Sequence, residues 1–126
     1  MAAGQNIGKD GLCCVTGQMK SDFALTNQIR RASLSCMNNI AEGFGRFSNK
    51  EFIRFLEISS ASANEVKSLG YTALDLNYWE EKVAWEVMNK VEYVKSLDLK
   101  FIKYLRRHSW GKSDYNRATN IEPIKP

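Results

Sequence analysis

NNIAEGFGRFSNKEF, residues 38–52, decides how this chain is read, because it either cradles a phosphate or joins two helices. A phosphate loop presents backbone amides at a helix start, usually directly after a buried strand. Here a helical period precedes the glycines instead: Leu25, Ile29, Ala32, Cys36, Ile40 and Phe44 recur at steps of three or four. There is no GxxxxGK[ST] spacing, and Gly43 and Gly45 have no third glycine three positions later. The stretch therefore predicts a corner that follows a helix over about residues 22–44. Gly43 and Gly45 are its terminators, as residues that readily take the left-handed conformation. Ser48 and Glu51 form a capping box that opens the next helix. Arg46, Lys50 and Arg54 fall near that second helix start, which keeps anion contact as a second reading of the corner.

Working outward, the second helix runs through Phe52, Phe55, Leu56, Ser59, Ala63, Val66, Ala73 and Leu76, with Gly70 as its one interior weak point. Its middle, Ile58-Ser59-Ser60-Ala61-Ser62-Ala63, is small, which predicts a close crossing with a neighbour around Ser59 and Ala63. Asn77 can close this helix, and Glu80 and Glu81 place negative charge at the start of a third, where the macrodipole favours it. Val83, Val87, Val91, Val94, Leu97, Phe101 and Leu105 keep nearly to a seven-residue rhythm, which sets the third helix at about 79–107 and suits bundle packing. Residues 108–126 lose periodicity, end with Pro123 and Pro126, and read as a flexible basic tail. Residues 1–21 hold four of the eight glycines and read as an uncertain segment or a degenerate first helix. Three long amphipathic helices with no strand candidate predict an all-α bundle, and their three apolar stripes call for a fourth partner, either from residues 1–21 or from another chain.

A chain of 126 residues suits one domain with its own core. Hydrophobic residues at 44% and charged residues at 25% are ordinary for a globular protein, and no apolar run reaches the roughly 20 residues that cross a bilayer. The start carries no basic patch followed by an apolar stretch, so a cytoplasmic location without membrane attachment is expected. Cys13, Cys14 and Cys36 are odd in number and read as reduced thiols, with Cys36 a small buried hydrophobe. The single histidine, His108, reads as an exposed polar residue. No Glu-x-x-His pair exists to build a di-iron bundle. No metal, cofactor or catalytic residue is expected, and the chain is read as a non-enzyme.

The net charge of +4 is unevenly placed. Residues 1–99 hold 11 Lys and Arg against 12 Asp and Glu, whereas residues 100–126 hold 7 against 2. Lys100, Lys103, Arg106, Arg107, Lys112 and Arg117 mingle there with Phe101, Tyr104, Trp110 and Tyr115, a mixture that attracts phosphates and stacks on unpaired bases. The same cations also suit a helix end whose dipole they complement, so both readings stand at this level. Elsewhere, Glu42 and Arg46 lie four apart, and Arg30 and Arg31 precede Glu65 on the following helix, so ion pairs can join these groups.

The stretch LTNQIRRASLSCMNNIAEGFGRFSNKEFIRFLEISSASANEV, residues 25–66, resembles the four-helix-bundle proteins encoded by intervening sequences of bacterial 23S ribosomal RNA genes. The resemblance runs from about Asp22 to Leu105. It implies an all-α, up-and-down bundle of four antiparallel helices, here with a short or degenerate first helix, assembling into a ring-like homopentamer. The same family includes the accessory variability protein of diversity-generating retroelements, a basic bundle that engages a reverse transcriptase and nucleic acid. Gln28, Arg30 and Arg31, and Glu42, Gly43, Gly45 and Arg46, match the family's motifs, which implies, with Glu51 and Glu65, a polar network stabilising helices or subunit contacts. The resemblance thus implies an oligomeric scaffold or adaptor that binds RNA or DNA through basic surface and assists a partner such as a reverse transcriptase. A protein-protein interaction module without nucleic acid is the alternative.

Overall fold

The computed structural model describes residues 17–120. Most of the expected first helix, together with Cys13, Cys14, Pro123 and Pro126, lies outside the described residues. Among the described residues all regular structure is helical: three long helices, α1 (Phe23–Phe44), α2 (Asn49–Asp75) and α3 (Glu81–Arg107), and a short α4 (Lys112–Ala118). Residues 17–21 form a single 3₁₀ turn in which Met19 is fully buried. The Met19 carbonyl accepts a hydrogen bond from Thr26 Oγ1 at 2.8 Å, which ties the turn down onto α1.

Helix α1 begins where Asp22 Oδ1 accepts from the Leu25 amide at 3.1 Å, and it buries Leu25, Ile29, Ala32 and Cys36 along one face. Gly45 is the C-cap of α1, as expected of a terminator, but the left-handed conformation expected of the twin glycines is corrected. Gly45 is right-handed, with φ −79°, and Gly43 is helical and buried. A Cβ at Gly43 would stand 2.7 Å from Phe52 Cδ2 and 2.8 Å from Phe55 Cβ, so glycine is needed here for close approach of α2 rather than for a left-handed turn. Ser48 then caps α2 by accepting from the Glu51 amide at 3.5 Å.

At its far end α2 closes in the left-handed conformation expected of Asn77, whose φ is 58°. The Tyr78 amide bonds the Ala73 carbonyl at 2.9 Å and the Asn77 amide bonds that of Leu74 at 3.0 Å, the two bonds of a Schellman closure. Trp79, buried just beyond, covers Gly70, where a Cβ would come within 3.1 Å of the indole. Connections this short force α1, α2 and α3 to run up, down and up.

Helix α2 is central, packing on α1 along one side and α3 along the other. Ser59 and Ala63 are both fully buried at the crossing with α1, where Ser59 Oγ lies 3.3 Å from Cys36 Sγ, as their small size predicts. The seam of α3 is rotated slightly from the expected one. Val87, Val91, Val94 and Leu105 are buried, but Ala84, Met88, Asp98 and Ile102 join them, while Val83, Leu97 and Phe101 are only half-buried. One apolar cluster fills the end around Met19, Ala73 and Trp79 and the middle, and a second fills the opposite end around Phe52, Leu56, Ile102 and Leu105.

The aperiodic stretch after residue 107 is also corrected. Helix α4 opens with the Gly111 amide donating to Asp114 Oδ2 at 3.0 Å. Trp110 just before it and Tyr115 within it pack on the bundle end: Trp110 lies 5.1 Å from Phe44 and 5.4 Å from Phe52, and Tyr115 lies 5.4 Å from Phe44, between ring centroids. Two aromatic anchors five residues apart are too few to print a period on the sequence.

Candidate functional site

Apart from the buried Gly43, the residues singled out for a polar network sit on the bundle surface. Gln28 Nε2 donates to Glu65 Oε1 across the α1–α2 groove. Arg46 reaches Glu42 at 3.4 Å, with both side chains about half exposed, and its guanidinium stands 5.4 Å over the Phe55 ring. Arg30 and Arg31 are exposed and form no ion pair with another described residue, because Gln28 rather than an arginine meets Glu65. Glu51 is exposed at the α2 start. A deeply buried ion-pair network is thus absent among the described residues of the single chain, and the high dielectric around these groups keeps the Glu42–Arg46 contribution small.

The carboxyl-terminal cations gather at the bundle end where α1 stops, α2 starts and α3 stops. Lys100, Lys103 and Arg107 follow one another at helical spacing along α3, with Tyr104 among them, and all are exposed. Arg106 meets the α2 start. There it shares a cleft of about 790 Å³ with Lys50, Arg54, Glu51 and Glu57. Lys112 and Arg117 are exposed on α4. None of the six carboxyl-terminal cations is drawn into an ion pair with another described residue.

Asn49 builds this end. Its Nδ2 donates to the Leu105 carbonyl and, at 2.6 Å, to the His108 carbonyl, while its Oδ1 accepts from the Trp110 amide at 2.6 Å. One side chain therefore satisfies two carbonyls at the α3 terminus and fixes the turn into α4. Around it the rings of Phe47, Tyr115, Phe44, Trp110, Phe52, Phe101, Tyr104 and His108 touch in a continuous series. The last contact is nearly parallel, with His108 stacked on Tyr104 at 4.3 Å and 13°.

A second polar group, carrying no motif of its own, lies inside the bundle at Asp98. Asp98 is 3% exposed and accepts from Ser60 Oγ at 3.1 Å. Burial pushes its carboxyl above the ordinary range, opposed by hydrogen bonds from Ser59 and Ser60. Cys36, linked through Ser59, is also pushed up, first by burial and further by the nearby Asp98, with the Ser59 hydrogen bond opposing. A thiol raised in this way is held protonated and is a poor nucleophile, consistent with its reading as core. The available signal was Asp98 itself, a lone acid set four residues from both Val94 and Ile102 and facing the serine-rich middle of α2. Asp98 also borders an apolar trough of about 550 Å³ between α1 and α3, lined by Ile40, Phe44, Leu56, Val94 and Phe101 among others. Among the described residues no cluster of three or more His, Cys, Asp or Glu could hold a metal ion. Nor is any helix there long and apolar enough to cross a membrane.

The fold is shared with a solved structure of a protein of unknown function from the S23 ribosomal protein family of Bacteroides thetaiotaomicron, with a TM-score of 0.74. That similarity covers 81% of this chain and 96% of the other at 20% identity, which speaks for the fold alone. Among curated proteins none matches. The model of the 23S rRNA-intervening sequence protein family matches residues 12–98, a span that takes in α1, α2 and most of α3, and the chain belongs to that family.

Proposed function

We propose that the protein is a non-enzymatic, oligomeric helical-bundle adaptor that binds RNA or DNA through its basic end and presents it to a nucleic-acid-processing partner such as a reverse transcriptase. The observation that carries this reading is the run of exposed cations at the end of α3 and on α4, none of them paired with another described residue, beside the exposed ring of Tyr104. Cations already committed to carboxylates would have little to offer a phosphate; these are uncommitted. Assembly as a homopentamer in the cytoplasm belongs to the same proposal, since five copies of a modest patch convert weak contacts into avidity.

Titration of labelled RNA and DNA at two salt concentrations tests it. Binding should weaken steeply as salt rises, with a slope of about −0.7 per phosphate contacted on a single strand. Lys103→Ala and Arg107→Ala should each flatten that slope by about one contact. Molar mass from light scattering tests the pentamer separately. A second reading, docking to a protein without nucleic acid, is favoured by the exposed Trp85, Tyr93 and Leu99 on α3, and absence of any salt-dependent binding would select it.

A further inference from the structure

The geometry points to the end of α3 as a stacking platform for unpaired bases, with the His108 imidazole as its open face. This rests on the nucleic-acid reading above and narrows it to single strands. His108 is exposed, yet both its ring and its backbone are tied to neighbours. Its amide donates to the Tyr104 carbonyl at 3.0 Å, and its ring Nδ1 lies 3.1 Å from the same oxygen, so that nitrogen carries the proton. Its own carbonyl accepts from Asn49 on α2 at 2.6 Å. One face of the imidazole lies on Tyr104, and Tyr104 in turn lies 6.0 Å from Phe101 with its plane only 20° away. Three rings on successive turns thus form a short parallel series continuous with the buried aromatic cluster, and the histidine terminates it in solvent.

A residue just past a helix end ordinarily samples several rotamers and surrenders that freedom on binding. Here one hydrogen bond to the ring and a stacked neighbour restrain the side chain, and two further bonds hold its backbone, so a planar ligand meets a formed surface. The flanking groups state which planar ligand. Lys103 and Arg107 sit on the same stretch of α3 as Tyr104, and Lys112 begins α4 just beyond, so exposed cations precede and follow His108 along the chain. A planar group carried on a polyanion fits that arrangement. A base inside a duplex has both faces covered by its neighbours, so only an unpaired base can use the platform.

The test uses the full chain and fluorescence anisotropy with three probes: a short oligothymidylate, an abasic strand with the same number of phosphates, and a duplex of the same length. The oligothymidylate should bind at least about fivefold more tightly than the abasic strand, the lower limit for one stacked base. His108→Ala should abolish that margin while leaving the salt slope unchanged, and His108→Trp should retain it. Thermal melts of both variants confirm that the fold persists. If His108→Ala fails to fold, the abasic comparison and His108→Trp still decide. Equal binding of oligothymidylate and abasic strand, or an unaltered margin in His108→Ala, overturns the platform while leaving salt-dependent phosphate binding intact. Failure of every probe to bind overturns both readings.

Discussion

Gly43 and Gly45 stand two residues apart in one motif, and the structure assigns them opposite responses to alanine. In a helix interior, alanine is favoured over glycine by about 1 kcal/mol. At Gly43 the new Cβ would meet Phe52 Cδ2 at 2.7 Å and Phe55 Cβ at 2.8 Å. Both are about 0.8 Å inside the closest ordinary carbon contact. Neither neighbour can yield cheaply. Phe52 is fully buried and wedged among Phe44, Phe101 and Trp110, and Phe55 Cβ is carried on the α2 backbone. Overpacking should therefore fall at the upper end of its usual range, about 3 kcal/mol, and exceed the propensity gain. Gly43→Ala is expected to lose about 2 kcal/mol net. At Gly45, φ is −79° and the nearest atoms are carbonyl oxygens at 3.6 and 3.9 Å, so the same change meets no obstacle. Gly45→Ala should be neutral or gain up to about 1 kcal/mol, chiefly by restricting the unfolded chain. Urea denaturation followed by circular dichroism measures both. A Gly43→Ala protein as stable as the parent, or a Gly45→Ala protein that loses more than about 1 kcal/mol, would refute the steric account of this motif.

Asn49→Ala should cost about 2–4 kcal/mol, because it strips a donor from two carbonyls and an acceptor from the Trp110 amide, and calorimetry of the variant measures the loss. Asp98 gives a pH signature. Its folded pKa lies above the unfolded 3.8, so the native state holds the proton more tightly and stability falls as pH rises from about 4 through the folded value. Asp98→Asn should remove that decline, which urea melts between pH 4 and 7 will detect as a widening advantage of the variant toward neutral pH. Ala63→Phe, at a fully buried crossing, should destabilise by more than about 3 kcal/mol or prevent folding, seen as loss of the cooperative thermal transition.

The helices were legible because their signals are local. Ser48 and Asn77 each act within a few residues of where they stand, and the buried faces of α1 and α2 follow the period of their own sequence. Gly45 does terminate α1, but Gly43 was misread for the converse reason. Gly43 is required by Phe52 and Phe55 across a turn, a constraint that appears only once two helices are docked. Helix α4 was missed because it is stabilised by Phe44 and Phe47, more than sixty residues earlier, and carries no amphipathic stripe of its own.

The charge excess of the last 27 residues was visible as a sum, but the site it helps to build depends on register. Along the α2–α3 pair, facing residues such as Ser60 and Asp98, Lys67 and Glu92, and Gly70 and Met88 have numbers adding to about 158, as an antiparallel helical hairpin requires. Carried to the far end, that register brings Lys50 and Arg54 to the last turn of α3, where Arg106 completes the cleft. Asn49 adds what register cannot, holding the His108 carbonyl and the Trp110 amide so that the chain beyond the helix has one conformation. The basic end is therefore a consequence of how long the two helices are and where they turn. Inserting one helical turn, four residues, into α3 between Asp98 and Phe101 would keep every cation yet carry Arg106 past Lys50 and Arg54 and break the Asn49 clamp. If binding comes from charge alone, such a protein still binds the oligothymidylate as before. If it comes from the assembled end, both affinity and the preference over an abasic strand decline together.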